Sequence, residues 1–256
     1  MSRLPAAFLG PPIAHRALHD AASGRPENTR GAIAAAIEAG YGIEIDVQPS
    51  AEGVPMVFHD EALYRLCGRA GLIADTALAE LREMPVQGTR ETIPRLADVL
   101  ALVAGRVPLL VEIKDQTGVL GPVDGGFERA VAAELAAYLG PVAAMSFNPH
   151  AVAVLAEAAP GVARGLVTCS FPAEYWPGLP RARAEELARI PDAEGMAVDF
   201  ISHQHSELDA PRVQSLRAGG LPVLCWTVRS AEAEAQARLG ADNITFEGYA
   251  AEMPSS

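Results

Sequence analysis

Short apolar runs alternate along the chain with longer stretches whose apolar residues have helical spacing. Each run is bounded by polar or turn residues, as buried parallel strands are. The helical stretches are rich in Ala and stop at Gly or Pro, which are the expected signals of a helix end. The predicted strands are IAH (13–15), IEIDV (43–47), LLVEI (109–113), AAMSF (143–147), GLVT (165–168), AVDFI (197–201), VLCWTV (223–228) and NITF (243–246). The predicted helices span residues 29–39, 127–138, 150–159, 211–218 and 230–239.

Eight strands that alternate with helices in 256 residues predict an α/β protein with a (β/α)8 TIM barrel. The alternative is a doubly wound sheet, but that fold usually carries a Gly-rich phosphate loop after its first strand, and this sequence has none there. Residues 51–106 are too long for one simple crossover. The Glu52-Gly53 turn and the Pro55–Phe58 run predict that a small inserted segment begins there with a hairpin. We expect residues 1–256 to form a single domain.

Composition and charge exclude several classes of protein. Half of the residues are apolar and one fifth are charged, which is enough apolar surface for a sizeable core and argues against disorder. The absence of a run of about 18 apolar residues, together with a short, Pro-interrupted N-terminal stretch, predicts a cytoplasmic protein without stable membrane association. The net charge of −12 argues against a nucleic-acid partner. The oligomeric state stays open.

Charged side chains gather where the first three predicted core strands end. Two of these strands carry a charged pair at spacing i, i+2, which places both side chains on one side of the strand. TIM-barrel enzymes build their active sites at the carboxyl ends of the strands. The residues are His15, Arg16, Glu44, Asp46, Glu112 and Lys114, and Lys114 is the only lysine in the chain.

The carboxylates Glu44, Asp46 and Glu112 need a compensating positive charge if they are buried together. A hard divalent cation with oxygen ligands, Mg²⁺ or Ca²⁺, supplies it. With Arg16 and Lys114 added, the local charge becomes slightly positive and suits a phosphodiester. The alternative is a structural ion-pair network among the same five residues, and the spacing alone leaves both interpretations open.

His59 follows the predicted hairpin, and together with His15 it forms a candidate general acid and general base. Phe147 and Trp226 end predicted strands that we expect to be neighbours, where they line an apolar wall of the pocket or only pack in the barrel. His203 and His205 with Glu207 form a second, weaker candidate metal site.

Ordered motifs cover nearly the whole chain. They are His15-Arg16, PENT (26–29), EID (44–46), His59-Asp60 with Leu63 and Arg65, EIK (112–114), Ser146-Phe147 and WTV (226–228). In these motifs the sequence resembles the glycerophosphodiester phosphodiesterases.

The resemblance implies a (β/α)8 barrel with a small insertion after the second strand. It implies hydrolysis of a small-molecule glycerophosphodiester to sn-glycerol 3-phosphate and an alcohol, with one divalent cation, Ca²⁺ or Mg²⁺. It assigns acid–base catalysis to His15 and His59, and we expect the reaction to pass through a cyclic phosphate. It assigns metal binding to Glu44, Asp46 and Glu112, and phosphate contact to Arg16 and Lys114.

Some positions depart from the family pattern. Ala17 replaces the usual Gly, Arg229 replaces an Asn, and Phe246 followed by Glu247 replaces an Asp. Because every expected metal and catalytic position is present, we expect altered substrate preference rather than a loss of activity. Three alternatives stay open: lysophospholipase D-type cleavage of lysophospholipids, a catalytically silent barrel that only binds, and a metal-dependent barrel lyase or isomerase.

Overall fold

The computed structural model describes residues 4–196 and 198–254, and its sheet closes into a barrel. Eight strands run parallel, and the first pairs with both the second and the last of them, which closes the ring. The predicted (β/α)8 barrel is therefore confirmed. The parallel strands are β1 (Ile13–Ala14), β2 (Gly42–Pro49), β4 (Leu109–Ile113), β5 (Val142–Ser146), β6 (Ala163–Thr168), β7 (Phe200–Gln204), β8 (Val223–Val228) and β9 (Asn243–Phe246), and the additional strand β3 is Pro55–Val57.

Helices follow the strands and cover the outside of the barrel. The first has the caps that its sequence predicts, because the Thr29 hydroxyl accepts from the Ala32 N–H and Gly40 ends the helix at φ +76°. The helices are α1 (Arg30–Ala39), α2 (Tyr64–Cys67), α3 (Leu78–Glu83), α4 (Leu96–Val103), α5 (Gly126–Ala136), α6 (Pro149–Ala158), α7 (Arg181–Leu187), α8 (Asp192–Gly195), α9 (Pro211–Ala218) and α10 (Ala231–Gly240). None of the helices within the described residues is long and apolar enough to cross a membrane.

Strand β7 is the element whose position differs most from its prediction. The apolar run at 197–201 predicts the strand there, but β7 begins at Phe200 and continues through Ser202 and His203 to Gln204. Ala197, the first residue of that run, lies outside the described residues. The polar half of β7 is part of the strand because the barrel buries Ser202 and His203, and Thr168 on β6 lies within hydrogen-bond distance of His203. An apolar-run criterion does not detect such a strand.

The inserted segment follows β2. Strand β3 runs antiparallel to β2, with Pro55 paired to Pro49 and Val57 to Val47, so it brings the chain from the outer end of β2 back to the level of Asp46, whose carbonyl accepts from the Phe58 N–H. A separate apolar cluster that includes Met56, Phe58 and Leu66 supports this segment. Helix α4 instead buries its apolar face in the main core and contacts α1 and α5. The insertion therefore places the residues after β3, His59 among them, beside the end of β2.

Apolar side chains fill the barrel interior below the charged residues. Phe8, Ile13, Leu110, Phe200 and Leu224 belong to one fully buried cluster inside the barrel. The charged side chains of β2 and β4 lie toward the carboxyl ends of their strands. The barrel therefore has a packed interior and one polar end, where the candidate site lies.

Candidate active site

Three buried carboxylates form the centre of the candidate site. Glu44 and Asp46 lie on β2 and Glu112 on β4, where Asp46 and Glu112 are register partners. Each offers an oxygen, and these oxygens lie within 4.8 Å of one another. Glu44 Oε1 is buried and has no hydrogen-bond partner, which is costly for a carboxylate. Three carboxylates with an unsatisfied oxygen suit a hard cation such as Ca²⁺ or Mg²⁺.

Lys114 neutralises part of this cluster. Its Nζ lies 2.9 Å from Asp46 Oδ1 and 2.6 Å from Glu112 Oε1. Burial by itself raises the pKa of Asp46, but the charges of Lys114 and His59 hold it well below its usual range. For Glu44, burial and the neighbouring Asp46 raise the pKa well above its usual value. The ion pairs predicted as an alternative therefore exist, but none of those described includes Glu44, and its Oε1 stays available to a cation.

Arg16 holds Glu44 through its backbone. The Arg16 N–H donates to Glu44 Oε2 at 2.8 Å, and its Nε lies 3.7 Å from Asp46 Oδ2. Two successive residues in left-handed conformation, Arg16 at φ +52° and Ala17 at φ +64°, direct the N–H there. Such a conformation costs an L-residue about 1–2 kcal/mol, so Ala17 is strained where the family usually has Gly. The turn forms in spite of that substitution.

Asn28 of the PENT motif fixes Asp46 from the other side. Its Nδ2 donates to Asp46 Oδ2 at 2.9 Å, and the Asp46 N–H donates to Asn28 Oδ1 at 3.3 Å. Asn28 has φ +57°, a conformation that Asn tolerates better than most residues. The motif before α1 therefore orients a predicted metal ligand as well as capping a helix.

His15 follows β1 and pairs with a carboxylate from the end of the barrel. Its Nδ1 lies 2.5 Å from Glu247 Oε2, while Glu247 Oε1 accepts from Arg229 Nε at 2.7 Å. Burial lowers the pKa of His15, and the hydrogen bond with Glu247 opposes part of that shift. The carboxylate fixes the ring with Nδ1 toward Glu247 and Nε2 on the opposite side.

His59 has an equivalent carboxylate partner. Its Nδ1 lies 2.7 Å from Asp60 Oδ1, and Asp60 in turn accepts two hydrogen bonds from Arg65. Burial raises the pKa of Asp60, but the hydrogen bonds from His59 and Arg65 lower it to well below its usual range. Both imidazoles also act electrostatically on Asp46, so both lie near the carboxylate cluster.

An open cavity of about 970 Å³ lies at this end of the barrel, and His59, Glu112 and Lys114 line it. Phe147 and Trp226 form part of its wall, with ring centroids 5.5 Å apart. Their strands are not neighbours as expected, since β6 and β7 lie between β5 and β8. The rings still meet because both side chains contact the cluster inside the barrel. Trp176, from the loop after β6, adds a third ring 4.9 Å from Phe147.

The remaining predicted site residues, His15, Arg16, Glu44 and Asp46, are not part of the cavity lining. Asp46 contacts the lining residue Lys114, and a Glu44 oxygen lies within 4.8 Å of an oxygen of Glu112, another lining residue. The second candidate metal site does not assemble in the described residues. There, Glu207 accepts from the N–H and the hydroxyl of Ser170, and His203 Nδ1 lies 2.8 Å from the Thr168 hydroxyl.

Sequence reasoning missed the partners that position the predicted residues. Glu247 appeared only as a departure from the family pattern. The role of Trp176 could not be predicted because it lies in a long loop after β6, where no regular spacing indicates which way a side chain points. Glu27 and Asp60 stood within recognised motifs without a role. The sequence shows that Asp60 follows His59 directly and that Glu27 lies near Arg16. It does not show that the fold brings Glu27 and Arg65 into contact.

The fold and this site define a barrel enzyme whose polar end combines a buried acidic cluster, two carboxylate-held imidazoles and cationic side chains. The family model described as "Glycerophosphoryl diester phosphodiesterase family" matches residues 15–247. The chain belongs to this family and is a phosphodiesterase, as its motifs indicated.

The similarity to individual relatives extends over most of their length. The chain is 28% identical to the glycerophosphodiester phosphodiesterase of Caldanaerobacter subterraneus subsp. tengcongensis, over 86% of this chain and 87% of that protein. It is 27% identical to an Oleispira antarctica phosphodiesterase solved in complex with the product sn-glycerol-3-phosphate, with a TM-score of 0.76 and 94% of each chain covered. A putative glycerophosphoryl diester phosphodiesterase from Silicibacter pomeroyi, at 21% identity, shares the fold with a TM-score of 0.78 over 96% of this chain and 94% of that one.

Proposed function

We propose that this protein hydrolyses small glycerophosphodiesters to sn-glycerol 3-phosphate and an alcohol, with Ca²⁺ or Mg²⁺ held by Glu44, Asp46 and Glu112. The observation that carries the proposal is the pair of imidazoles, His15 and His59, each held at Nδ1 by a carboxylate beside the acidic cluster. The product found in the Oleispira antarctica relative supports the choice of substrate class.

The first step is an attack from within the substrate. His15 Nε2 accepts the proton of the glycerol 2-hydroxyl, and the hydroxyl oxygen bonds to phosphorus. The bond from phosphorus to the leaving alcohol oxygen breaks, and His59 donates a proton to that oxygen. An attacking group that is already part of the substrate gains up to about 7–11 kcal/mol relative to a bimolecular reaction.

The second step opens the resulting cyclic phosphate. His59, now neutral, accepts a proton from water, whose oxygen bonds to phosphorus. His15, now protonated, returns its proton to the 2-hydroxyl oxygen as that bond breaks. Burial supports His15 as the first base, because its lowered pKa keeps it neutral near pH 7. His59 lies on the cavity wall, where the leaving alcohol departs.

The charged side chains bind and orient the phosphate. Arg16 and Lys114 contact its non-bridging oxygens and stabilise the charge that grows on them in the transition state. When bound, a divalent cation supplies Lewis-acid polarisation of the phosphoryl oxygens. Phe147 and Trp226 pack against the apolar part of the substrate.

The aromatic wall of the cavity also supports a second candidate function, lysophospholipase D-type cleavage of lysophospholipids. A cavity of about 970 Å³ is at the upper end of what drug-sized ligands occupy, so it has room for an apolar chain. Lysophospholipids and small glycerophosphodiesters would then use the same catalytic residues, and only their relative rates distinguish the two functions.

The test is release of sn-glycerol 3-phosphate from glycerophosphocholine and glycerophosphoethanolamine, beside cleavage of a lysophospholipid, after chelation and with Ca²⁺, Mg²⁺ or no metal. His59→Ala is the inactive variant, and His150→Ala, an exposed histidine on α6, is its matched control. We expect metal-dependent release that His59→Ala loses and His150→Ala keeps. Turnover of the lysophospholipid alone would support the second candidate, and no turnover of any substrate would support a silent barrel.

A further inference from the structure

Arg65 on α2 is bonded to two carboxylates from different parts of the chain. It donates to both oxygens of Asp60, from Nε at 2.6 Å and Nη2 at 2.7 Å. It also donates to both oxygens of Glu27, from Nη1 and Nη2, each at 2.8 Å. One planar guanidinium thus makes four charge-assisted hydrogen bonds, a geometry that a lysine ammonium does not reproduce.

Each of these carboxylates holds a residue of the site. Asp60 Oδ1 lies 2.7 Å from His59 Nδ1, and Glu27 Oε1 accepts from Arg16 Nη1 at 2.9 Å. Arg65 therefore connects the imidazole of one segment with the guanidinium of another. These segments, the loop before α1 and the segment after β3, share no strand pairing with each other within the described residues.

Resting on the proposed function, we propose that Arg65 is a positioning residue for phosphodiester hydrolysis, which holds His59 through Asp60 and Arg16 through Glu27 at one fixed separation. Arg65 is not part of the cavity lining, so it acts only through these partners. Its side chain is 46% exposed, whereas the side chains that it holds are 9% (Glu27) and 20% (Asp60) exposed, so the bridge fixes less exposed groups from the surface.

A surface ion pair alone does not explain this arrangement. Exposed pairs contribute about 0–1 kcal/mol to stability, so the loss of a pair that touches no site residue should leave activity unchanged. Arg69, four residues further along the chain and past the end of α2, forms such a pair with Glu80 at 2.8 Å, and none of the described ion pairs joins it to a site residue. Arg69 is therefore the matched control for Arg65.

The first experiment compares Arg65→Gln and Arg65→Lys with Arg69→Gln, using glycerophosphocholine and saturating metal. We expect kcat to fall by about 10- to 100-fold in both Arg65 variants, because a displaced acid–base group loses a large part of its effect. Arg69→Gln should stay within twofold of the wild type. Thermal unfolding of every variant checks that the fold persists. If Arg65→Gln does not fold, Arg65→Lys, which retains the charge, replaces it in the comparison with Arg69→Gln.

Two further variants separate the arms of the bridge. Asp60→Asn removes the His59 arm and should lower kcat, whereas Glu27→Gln removes the Arg16 arm and should mainly raise KM. Combining Arg65→Gln with Asp60→Asn should cost less than the product of the two single effects, because both changes break one connected unit. Additive effects would overturn the proposal.

A readout that is independent of turnover is the ¹⁵N NMR signal of the imidazole nitrogens. At a pH high enough for His59 to be neutral, Asp60 should hold the remaining proton on Nδ1 in the wild type, and in Arg65→Gln the His59 nitrogen shifts should move toward the average of the two tautomers. Unchanged His59 signals, or Arg65 variants as active as Arg69→Gln, would overturn the proposal. If the wild type hydrolyses no substrate, the proposed function fails, and the His59 signals still decide whether Arg65 positions that ring.

Discussion

Replacing Glu247 by Gln tests the carboxylate that the structure places behind His15. The substitution keeps the shape of the side chain and removes its charge. Glu247 Oε2 lies 2.5 Å from His15 Nδ1 and 3.4 Å from His19 Nε2, and Oε1 accepts from Arg229. The contact with His15 is the shortest and least exposed of the three, because the His15 side chain is 13% exposed, against 23% for His19 and 64% for Arg229.

The expected loss follows from that contact. A hydrogen bond to a charged group contributes about 1.5–3 kcal/mol, and each 1.36 kcal/mol is tenfold in rate. If the bond is strongest when His15 carries the proton, Glu247→Gln should lower kcat by roughly 10- to 150-fold. KM should change little, since Glu247 is not part of the cavity lining.

The loss of the Glu247 charge should also shift the pH dependence of kcat/KM, in a direction that the pKa of His15 determines. The hydrogen bond with Glu247 raises the pKa of His15 and opposes the lowering by burial. Without that charge the pKa of His15 falls further, and His15 stays neutral to lower pH. The acid limb of kcat/KM should therefore move to lower pH in Glu247→Gln.

The assay is the initial rate of sn-glycerol 3-phosphate release from glycerophosphocholine between pH 5 and pH 9, with Arg229→Gln as the comparison variant. That variant removes the exposed partner of the same carboxylate. Because Arg229 lines the cavity, its loss should change KM, whereas kcat should fall by no more than about threefold. A kcat for Glu247→Gln of at least half the wild-type value would refute the reasoning, as would a loss confined to KM.

Three further outcomes follow from the structure. After chelation, adding Ca²⁺ or Mg²⁺ at about 100 times its Kd should stabilise the protein by about 2.7 kcal/mol, a rise of roughly 5–11 °C in Tm, and Glu44→Gln should abolish most of it. Trp226→Phe, which loses the bond from the indole N–H to the Ser202 carbonyl, should change the ratio of kcat/KM between glycerophosphocholine and glycerophosphoethanolamine by roughly fivefold; an unchanged ratio would mean that Trp226 only packs. Burial lowers the pKa of His203, so the unfolded chain binds the additional proton and stability should fall as pH drops below about 6.5, less steeply in His203→Gln when urea unfolding is followed between pH 7 and pH 5.

The sequence by itself determined the barrel and the chemistry of its polar end. An apolar run overlaps each of the eight parallel strands, because a buried strand must be apolar along most of its length, although β7 overlaps its run only at Phe200 and Ile201. The i, i+2 spacing of Glu44 with Asp46 placed both carboxylates on one side of β2, since side chains alternate along a strand. The structure brings these two together with Glu112, and Lys114 contacts two of the three.

Only the tertiary structure decided which residues hold these groups in place. Glu247 meets His15 across 232 positions of sequence, and Arg65 meets Glu27 across 38, so no local pattern records either contact. The polar half of β7 belongs to a strand because the closed barrel buries Ser202 and His203 there. Local spacing sets the face on which a side chain lies, whereas its partner depends on barrel closure and loop packing, which join segments that are distant along the chain.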